Sequence, residues 1–420
     1  MTTVAKPSAV QPAFDTAGGV AAGAARLMSL DALRGFDMFW IIGAEKLIRA
    51  WGEASNLPAA DFLATQLKHV QWEGVRFYDL IFPLFLFIIG VTTVFSLDGA
   101  LARGGRRGLL LRVLRRSVLL FLLGVFRDGG LSGAWPDVAL AGVLQRIAAC
   151  YLLTAVTYCL VRSEWGLIGV AVGLLAGYWA LLTFVPFPDI DLRNVDAVKA
   201  LGASIGSQAP RDIGAAVSAQ IRGVYEEGRN LTNYLDFLYL PGRKSQTYYL
   251  NEGLLSTLPS LALPLLGAAA GKWLKNDQLS GTRKLAQLVA LSLVCVGLGL
   301  AWSYQFPLIK RIWTSSFVLV AAGASAMLLA LFYLVVDVWE RRTWCRPLVW
   351  IGSNAITLYV LVAVVDFQAI ARRLVGGSVG AWIDGRFGDK YSQVAVAAVA
   401  LGLVVALARL LYRNRVILRL

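Results

Sequence analysis

Histidine is almost missing from this chain. His69 is the only one in 420 residues. A metal centre built from several imidazoles is therefore excluded. Cysteine is scarce too. Cys150, Cys159, Cys295 and Cys345 fall in or beside apolar runs with no metal-ligand spacing, and they read as small apolar residues rather than disulfides or zinc ligands. No phosphate-binding glycine loop is present, because Gly104-Gly105 lies in a basic linker and lacks the Lys-Ser/Thr that such a loop requires. There is no Gly-x-Ser-x-Gly elbow and no clear internal repeat, so an inverted-repeat transporter finds no support.

Charge is also thin, at 16% of residues against 57% hydrophobic. The mean hydropathy is +0.63. A soluble domain of this length cannot hide that much apolar surface, so the chain reads as an all-α polytopic membrane protein. The net charge of +14 reads as basic cytoplasmic loops rather than a nucleic-acid surface. Residues 1–27 lack an apolar signal core and read as a disordered tail, leaving 28–420 as one membrane domain.

Apolar runs predict about ten or eleven spans, near 30–51, 74–97, 109–126, 138–161, 165–185, 253–274, 285–304, 315–338, 348–367 and 394–411. The polar stretch 367–393 resists placement. Residues 52–73 read as a polar connection, and 186–251 as an outer-side segment long enough to be a small subdomain. The densest Arg and Lys clusters follow the second, sixth and eighth spans and close the chain. The positive-inside rule then makes both termini cytoplasmic and puts 52–73 and 186–251 outside.

The first span holds Asp31, Arg34, Asp37, Glu45, Lys46 and Arg49, which is too polar for a passive anchor. Asp31 and Arg34 share a helix face, as a structural ion pair or as part of a functional path. Glu45 lies roughly 15 Å beyond Gly35 along a helix, near the outer interface. His69 sits just before the second span, whose first turns hold Asp79 and Pro83. A carboxylate from Glu45 or Asp79 beside the imidazole would orient it as a general base. Arg34, Gln145, Arg146 and Asn354 provide polar groups between the two faces. On the cytoplasmic side, the Arg103–Arg116 cluster and Lys272 suit either a phosphate-bearing ligand or anionic lipid.

Ser29-Leu30-Asp31-Ala32-Leu33-Arg34-Gly35 resembles the opening motif of the heparan-α-glucosaminide N-acetyltransferase family. His69-x-x-Trp72-x-Gly74, continued by Asp79-Leu80-Ile81-Phe82-Pro83, resembles that family's catalytic-histidine region. Gly142-Val143-Leu144-Gln145-Arg146, Glu252-Gly253-Leu254-Leu255-Ser256-Thr257, Gly267-x-x-x-Gly271-Lys272, Trp313-Thr314-Ser315-Ser316 and Ile351-Gly352-x-Asn354 fit it in order. The resemblance implies acetyl transfer from cytosolic acetyl-CoA to the amino group of a glucosamine-type sugar on the other side. It implies His69 as catalytic base or acetyl carrier, with Glu45 or Asp79 orienting it. Arg34, Gln145, Arg146 and Asn354 would line the coenzyme A path, and Lys272 would neutralise phosphate. By counting from Arg34-Gly35, this chain carries Glu45 where the lumenal members carry Asn. The compact form looks like a bacterial inner-membrane relative. The expected partners are acetyl-CoA, an amino-sugar acceptor, the bilayer and a second copy of the chain in a homodimer, with no nucleic acid and no metal. The rival reading is an amino-sugar or oligosaccharide transporter that performs no acyl transfer.

Overall fold

The computed structural model describes residues 27–416, so the expected tail at 1–27 lies outside the described residues apart from Leu27. The chain begins with α1 (Met28–Phe39), a wide helical turn at Trp40–Ala44 and α2 (Glu45–Ala54). That turn contains Gly43 at φ 144°, where a side chain would be strained. The connection expected to be merely polar contains α3 (Pro58–Gln66). Its buried Ala60 and Ala64 pack on Gly52, while Leu57, Phe62 and Leu63 stay exposed. One tight turn, Phe77–Leu80, leads into α4 (Ile81–Arg127), which breaks at Gly105 with φ 62°. Then come α5 (Val143–Leu160) and α6 (Glu164–Phe184).

The stretch 186–251 is a small subdomain. It contains β1 (Phe187–Pro188), α7 (Val195–Ile205), α8 (Pro210–Ala216), β2 (Gln220–Ile221), β3 (Tyr225–Glu226), β4 (Arg229–Asn230) and α9 (Leu231–Tyr239). The pairs β1–β2 and β3–β4 are antiparallel. Ile190, Leu192, Val198, Ile213, Phe237 and Tyr249 give it an apolar core of its own.

The second half consists of α10 (Thr257–Ser260), α11 (Ala262–Lys275), α12 (Gly281–Trp302), α13 (Ser315–Phe332), α14 (Arg346–Ser353), α15 (Ala355–Val364), α16 (Phe367–Val375), α17 (Gly377–Phe387) and α18 (Tyr391–Arg413). The unplaced stretch 367–393 is thus mostly α16 and α17.

Among the described residues, six helices are long and apolar enough to cross a membrane, or seven if the pair α14–α15, bent by 74°, counts as one. The other expected spans fall short for identifiable reasons. The first is divided by the wide turn and carries six ionisable side chains. The third, the returning arm of α4, carries Arg112, Arg115 and Arg116. The sixth is shortened because α10 and α11 share it.

Glycine lets these helices approach closely. A Cβ on Gly35 would overlap the Leu348 carbonyl, and one on Gly352 would overlap that of Asp31, so α1 and α14 meet backbone to backbone. Gly90 and Gly267 do the same for α4 and α11. The recurring Gly motifs are therefore packing devices first. Gly267→Val should destabilise the protein by about 1–3 kcal/mol or more through overpacking. A thermal melt in detergent checks this, and an unchanged melting temperature would contradict it.

Candidate active site

The bundle has two chemically distinct ends. One carries His69, Asp79, Glu252 and Lys310. The other carries Asp98, Arg162, Lys272 and Lys275. Asp79 and Asp98 flank the same straight arm of α4, which separates them by roughly 28 Å.

His69 lies in the loop between α3 and α4. That loop is pinned twice. Gly74, with φ 113°, donates its backbone N–H to the Leu308 carbonyl at 2.8 Å. The Trp72 indole N–H donates to the Tyr225 carbonyl of the subdomain at 2.8 Å. Asp79 sits in the turn before α4 and is 1% exposed. Its Oδ2 accepts the backbone N–H groups of Arg76 (3.1 Å) and Val70 (3.3 Å). Its Oδ1 lies 2.7 Å from His69 Nδ1. The carboxylate only accepts, so in the neutral imidazole that makes this hydrogen bond Nδ1 carries the proton and Nε2 the lone pair. The imidazole packs on Tyr78 with ring centroids 4.9 Å apart. Its side chain is half exposed, which leaves Nε2 reachable.

Lys310 completes the group. Its Nζ is 3.5 Å from Asp79 Oδ1, 3.2 Å from His69 Nδ1 and 4.0 Å from Glu252 Oε1. The loop that carries it is held by the Trp313-Thr314-Ser315-Ser316 stretch. The Thr314 hydroxyl donates to the Pro307 carbonyl at 2.7 Å and accepts the Ile309 N–H at 3.0 Å. Ser315 ties the start of α13 to the Leu175 carbonyl at 2.7 Å. Trp313 is fully buried at φ 53°, a strained value for an aromatic residue that its packing imposes.

Arg146 holds the third wall. It is 5% exposed. Its guanidinium donates to the carbonyls of Ser256 (3.2 Å), Gly253 (3.1 Å) and Glu252, and to the Ser256 hydroxyl at 2.6 Å. It also lies over the Trp313 ring, 4.9 Å from the centroid. Arg146 thus fixes the backbone that presents Glu252, itself at φ 67°. Against the same turn lies Asp236 of α9, whose Oδ1 accepts the Leu254 N–H at 2.9 Å. Its Oδ2 is buried without a hydrogen-bond partner.

Burial pushes the Asp236 carboxyl up to about 6, against two backbone hydrogen bonds and the charges of Arg146 and Lys244 that pull it down. A raised acid pKa means that the folded state holds the proton more tightly. The stability it contributes is complete below the ordinary carboxylate pKa and is lost as pH rises through about 6. Hydrogen exchange across 231–257 should therefore quicken between pH 5 and 7 in the wild type, beyond its intrinsic pH dependence. Asp236→Asn should remove that extra change, and an identical profile in the variant would refute the assignment.

The other expected residues make contacts of their own. Glu45 is buried, but its Oε1 accepts from Arg49 at 2.6 Å, so His69 takes Asp79 as its partner instead. Arg34 pairs with Asp31 at 3.4 Å, and buried Asn354 marks the bend between α14 and α15. The Gln145 amide donates to the Ala139 carbonyl at 3.1 Å. Lys272 occupies the opposite end, donating to the Arg162 carbonyl, while Arg162 and Lys275 pair with Asp98. All four cysteines are buried free thiols.

The histidine, Gln145-Arg146, Glu252 and Trp313 motifs therefore meet at one end of the bundle, while the Lys272 motif lies at the other. The chain is 28% identical over 341 aligned positions to the heparan-alpha-glucosaminide N-acetyltransferase of Mus musculus, covering 70% of this chain and 48% of that protein. Against its Homo sapiens counterpart it is 28% identical over 333 positions, with 70% and 48% covered. The chain is a relative of these N-acetyltransferases. It spans about half the length of the curated relatives it matches. No family model matches it.

The part of the pocket that sequence reading leaves without a role is Lys310, Glu252 and Asp236. Positive φ at Glu252 and Trp313 depends on burial rather than on a glycine code, so no local signal marks it. The strongest available clue for Lys310 was its position three residues before Trp313.

Proposed function

We propose that this protein is a membrane N-acetyltransferase that moves an acetyl group from acetyl-CoA to the amino group of a glucosamine-type sugar. The observation that carries the reading is the half-exposed His69–Asp79 pair, with Lys310 against both and Glu252 4.0 Å from Lys310, in a chain related to heparan-alpha-glucosaminide N-acetyltransferases.

Asp79 holds the imidazole in the Nδ1–H form, and Lys310 keeps Asp79 ionised. Glu252 draws the acceptor ammonium toward His69. Nε2 removes one proton, and the amine nitrogen attacks the thioester carbonyl carbon. A C–N bond forms, the C–S bond breaks, and the thiolate leaves to be protonated. The second amine proton passes to solvent. Acetyl transfer by way of His69 would use the same Nε2 as nucleophile.

The donor enters from the opposite end. Arg162, Lys272 and Lys275 gather there around Asp98, a cation excess suited to phosphates. The basic stretches 106–116, 272–284 and 341–346 flank the same end, and the positive-inside rule makes it cytoplasmic. His69 and the subdomain then face the outside, as in a bacterial inner membrane. Arg34 and Asn354 belong to the polar route between. Arg146 acts as a positioning residue, because its donors are already engaged by four acceptors.

Proteoliposomes test this directly. Acetyl-CoA supplied only on the Lys272 side should yield N-acetylglucosamine on the other side. Glucosamine accumulating inside without acetyl-CoA, and no acetylated product, would favour a transporter instead.

A further inference from the structure

A cleft of about 450 Å³ opens on the side of the bundle between the returning arm of α4 and α5. Its walls are apolar, formed by Leu114, Val118, Phe121, Ala149, Leu152 and Leu254. Several of these are exposed, among them Leu114 at 47%, Val118 at 48% and Leu254 at 45%. At membrane depth such surface meets acyl chains rather than water. The cleft extends roughly 10 Å along the two helices, the rise of seven residues.

The upper end is polar. Gln145, Arg146 and Glu252 line it. The Gln145 Oε1 is buried without a hydrogen-bond partner, so a donor is missing at that point. Glu252 offers a carboxylate that is only 4.0 Å from Lys310, which in turn touches the His69–Asp79 pair. The apolar trough therefore ends where the proposed chemistry begins.

We propose that this cleft seats the hydrocarbon tail of a lipid-linked amino sugar, so that the acceptor arrives from the bilayer with its ammonium at Glu252. This rests on the acetyl-transfer reading. Charge complementarity selects the occupant. Glu252 and the buried Gln145 oxygen call for a cationic, hydrogen-bond-donating head, and the walls call for an alkyl chain. Coenzyme A is the wrong occupant. Among the described residues lining the cleft, Arg146 is the sole cation, and its guanidinium is committed to the 252–256 backbone and Ser256. A polyanion would find Arg146 alone among the described lining residues, while Arg116 on the same arm of α4 is stacked on Tyr151 of α5, 4.8 Å from its ring centroid.

The test compares dodecyl and methyl glucosaminide as acceptors in nanodiscs, with acetyl-CoA as donor. The wild type should favour the dodecyl compound by tenfold or more in kcat/KM. Ala149→Trp fills the trough from α5, and Val118→Trp fills it from the exposed wall of α4, so one remains informative if the other does not fold. In either variant the dodecyl-to-methyl ratio should fall at least fivefold from the wild-type value. Partition into the bilayer is common to all three proteins, so the change in ratio isolates the cleft. A wild-type ratio near one, or a ratio unchanged in both folded variants, would overturn the proposal.

If neither acceptor is acetylated, the acetyl-transfer reading fails, and photolabelling decides the cleft separately. A dodecyl glucosaminide with a diazirine in its chain should label residues 114–121 and 145–152. Labelling spread elsewhere on the bundle would overturn the cleft assignment.

Discussion

Replacing His69 by Ala should lower acetyl transfer to a glucosamine acceptor by about 10²–10⁴-fold, the range that a positioned general base supplies. The fold should survive, because the imidazole is half exposed and packs on Tyr78. Asp79→Asn is the sharper companion. The substitution keeps the shape but replaces one acceptor oxygen with a donor. Either the imidazole tautomer reverses, moving the proton to Nε2, or the Val70 and Arg76 amides lose a partner. Transfer should fall by about 10² or more. Raising the pH should not restore it, since the wrong nitrogen then holds the proton. Steady-state rates with purified variants, beside their thermal melts, check both. Turnover within threefold of wild type in a folded His69→Ala protein would contradict the proposed role.

The second large effect is structural. Arg146→Ala removes a buried guanidinium from three carbonyls and a hydroxyl. Those acceptors lose their shared donor, and Glu252 loses the backbone that presents it. Losing one partner of such a buried charged network costs about 3–5 kcal/mol. The melting temperature should drop sharply, with the 252–257 segment opening first by hydrogen exchange. Arg146→Lys should recover only part of the loss, because an ammonium cannot reach four acceptors in a plane or lie flat over Trp313. An Arg146→Ala protein with wild-type stability and a raised KM for acetyl-CoA alone would return Arg146 to the donor path.

Much of the frame is legible in the chain. Apolar runs mark the long helices, and Gly90, Gly267 and Gly271 mark where backbones touch. His69 and Asp79 are close in sequence and separated by one loop, so their pairing is within reach of local reasoning. Glu45 was not. Its helix position puts it near the same interface, but Arg49 one turn later satisfies it at 2.6 Å, and a near i,i+4 partner forms more readily than a distant histidine. Arg146 illustrates a different gap. A lone arginine in an apolar run signals function by its cost, yet the carbonyls it serves lie more than 100 residues away at Glu252–Ser256. Nothing in the neighbourhood of either segment announces that meeting. The expected span count exceeds the six or seven apolar helices for a related reason, since polar, bent and shortened segments can complete a bundle when their neighbours shield them.

In the proposed function His69, held by Asp79, carries out acetyl transfer to an amine. It is tested most directly by incubating purified wild-type, His69→Ala and Asp79→Asn proteins with [¹⁴C]acetyl-CoA and glucosamine, then measuring labelled N-acetylglucosamine. Product should form with the wild type and fall by about 10² or more with either variant. Equal product from all three folded proteins, or none from the wild type with any amino-sugar acceptor, would contradict it.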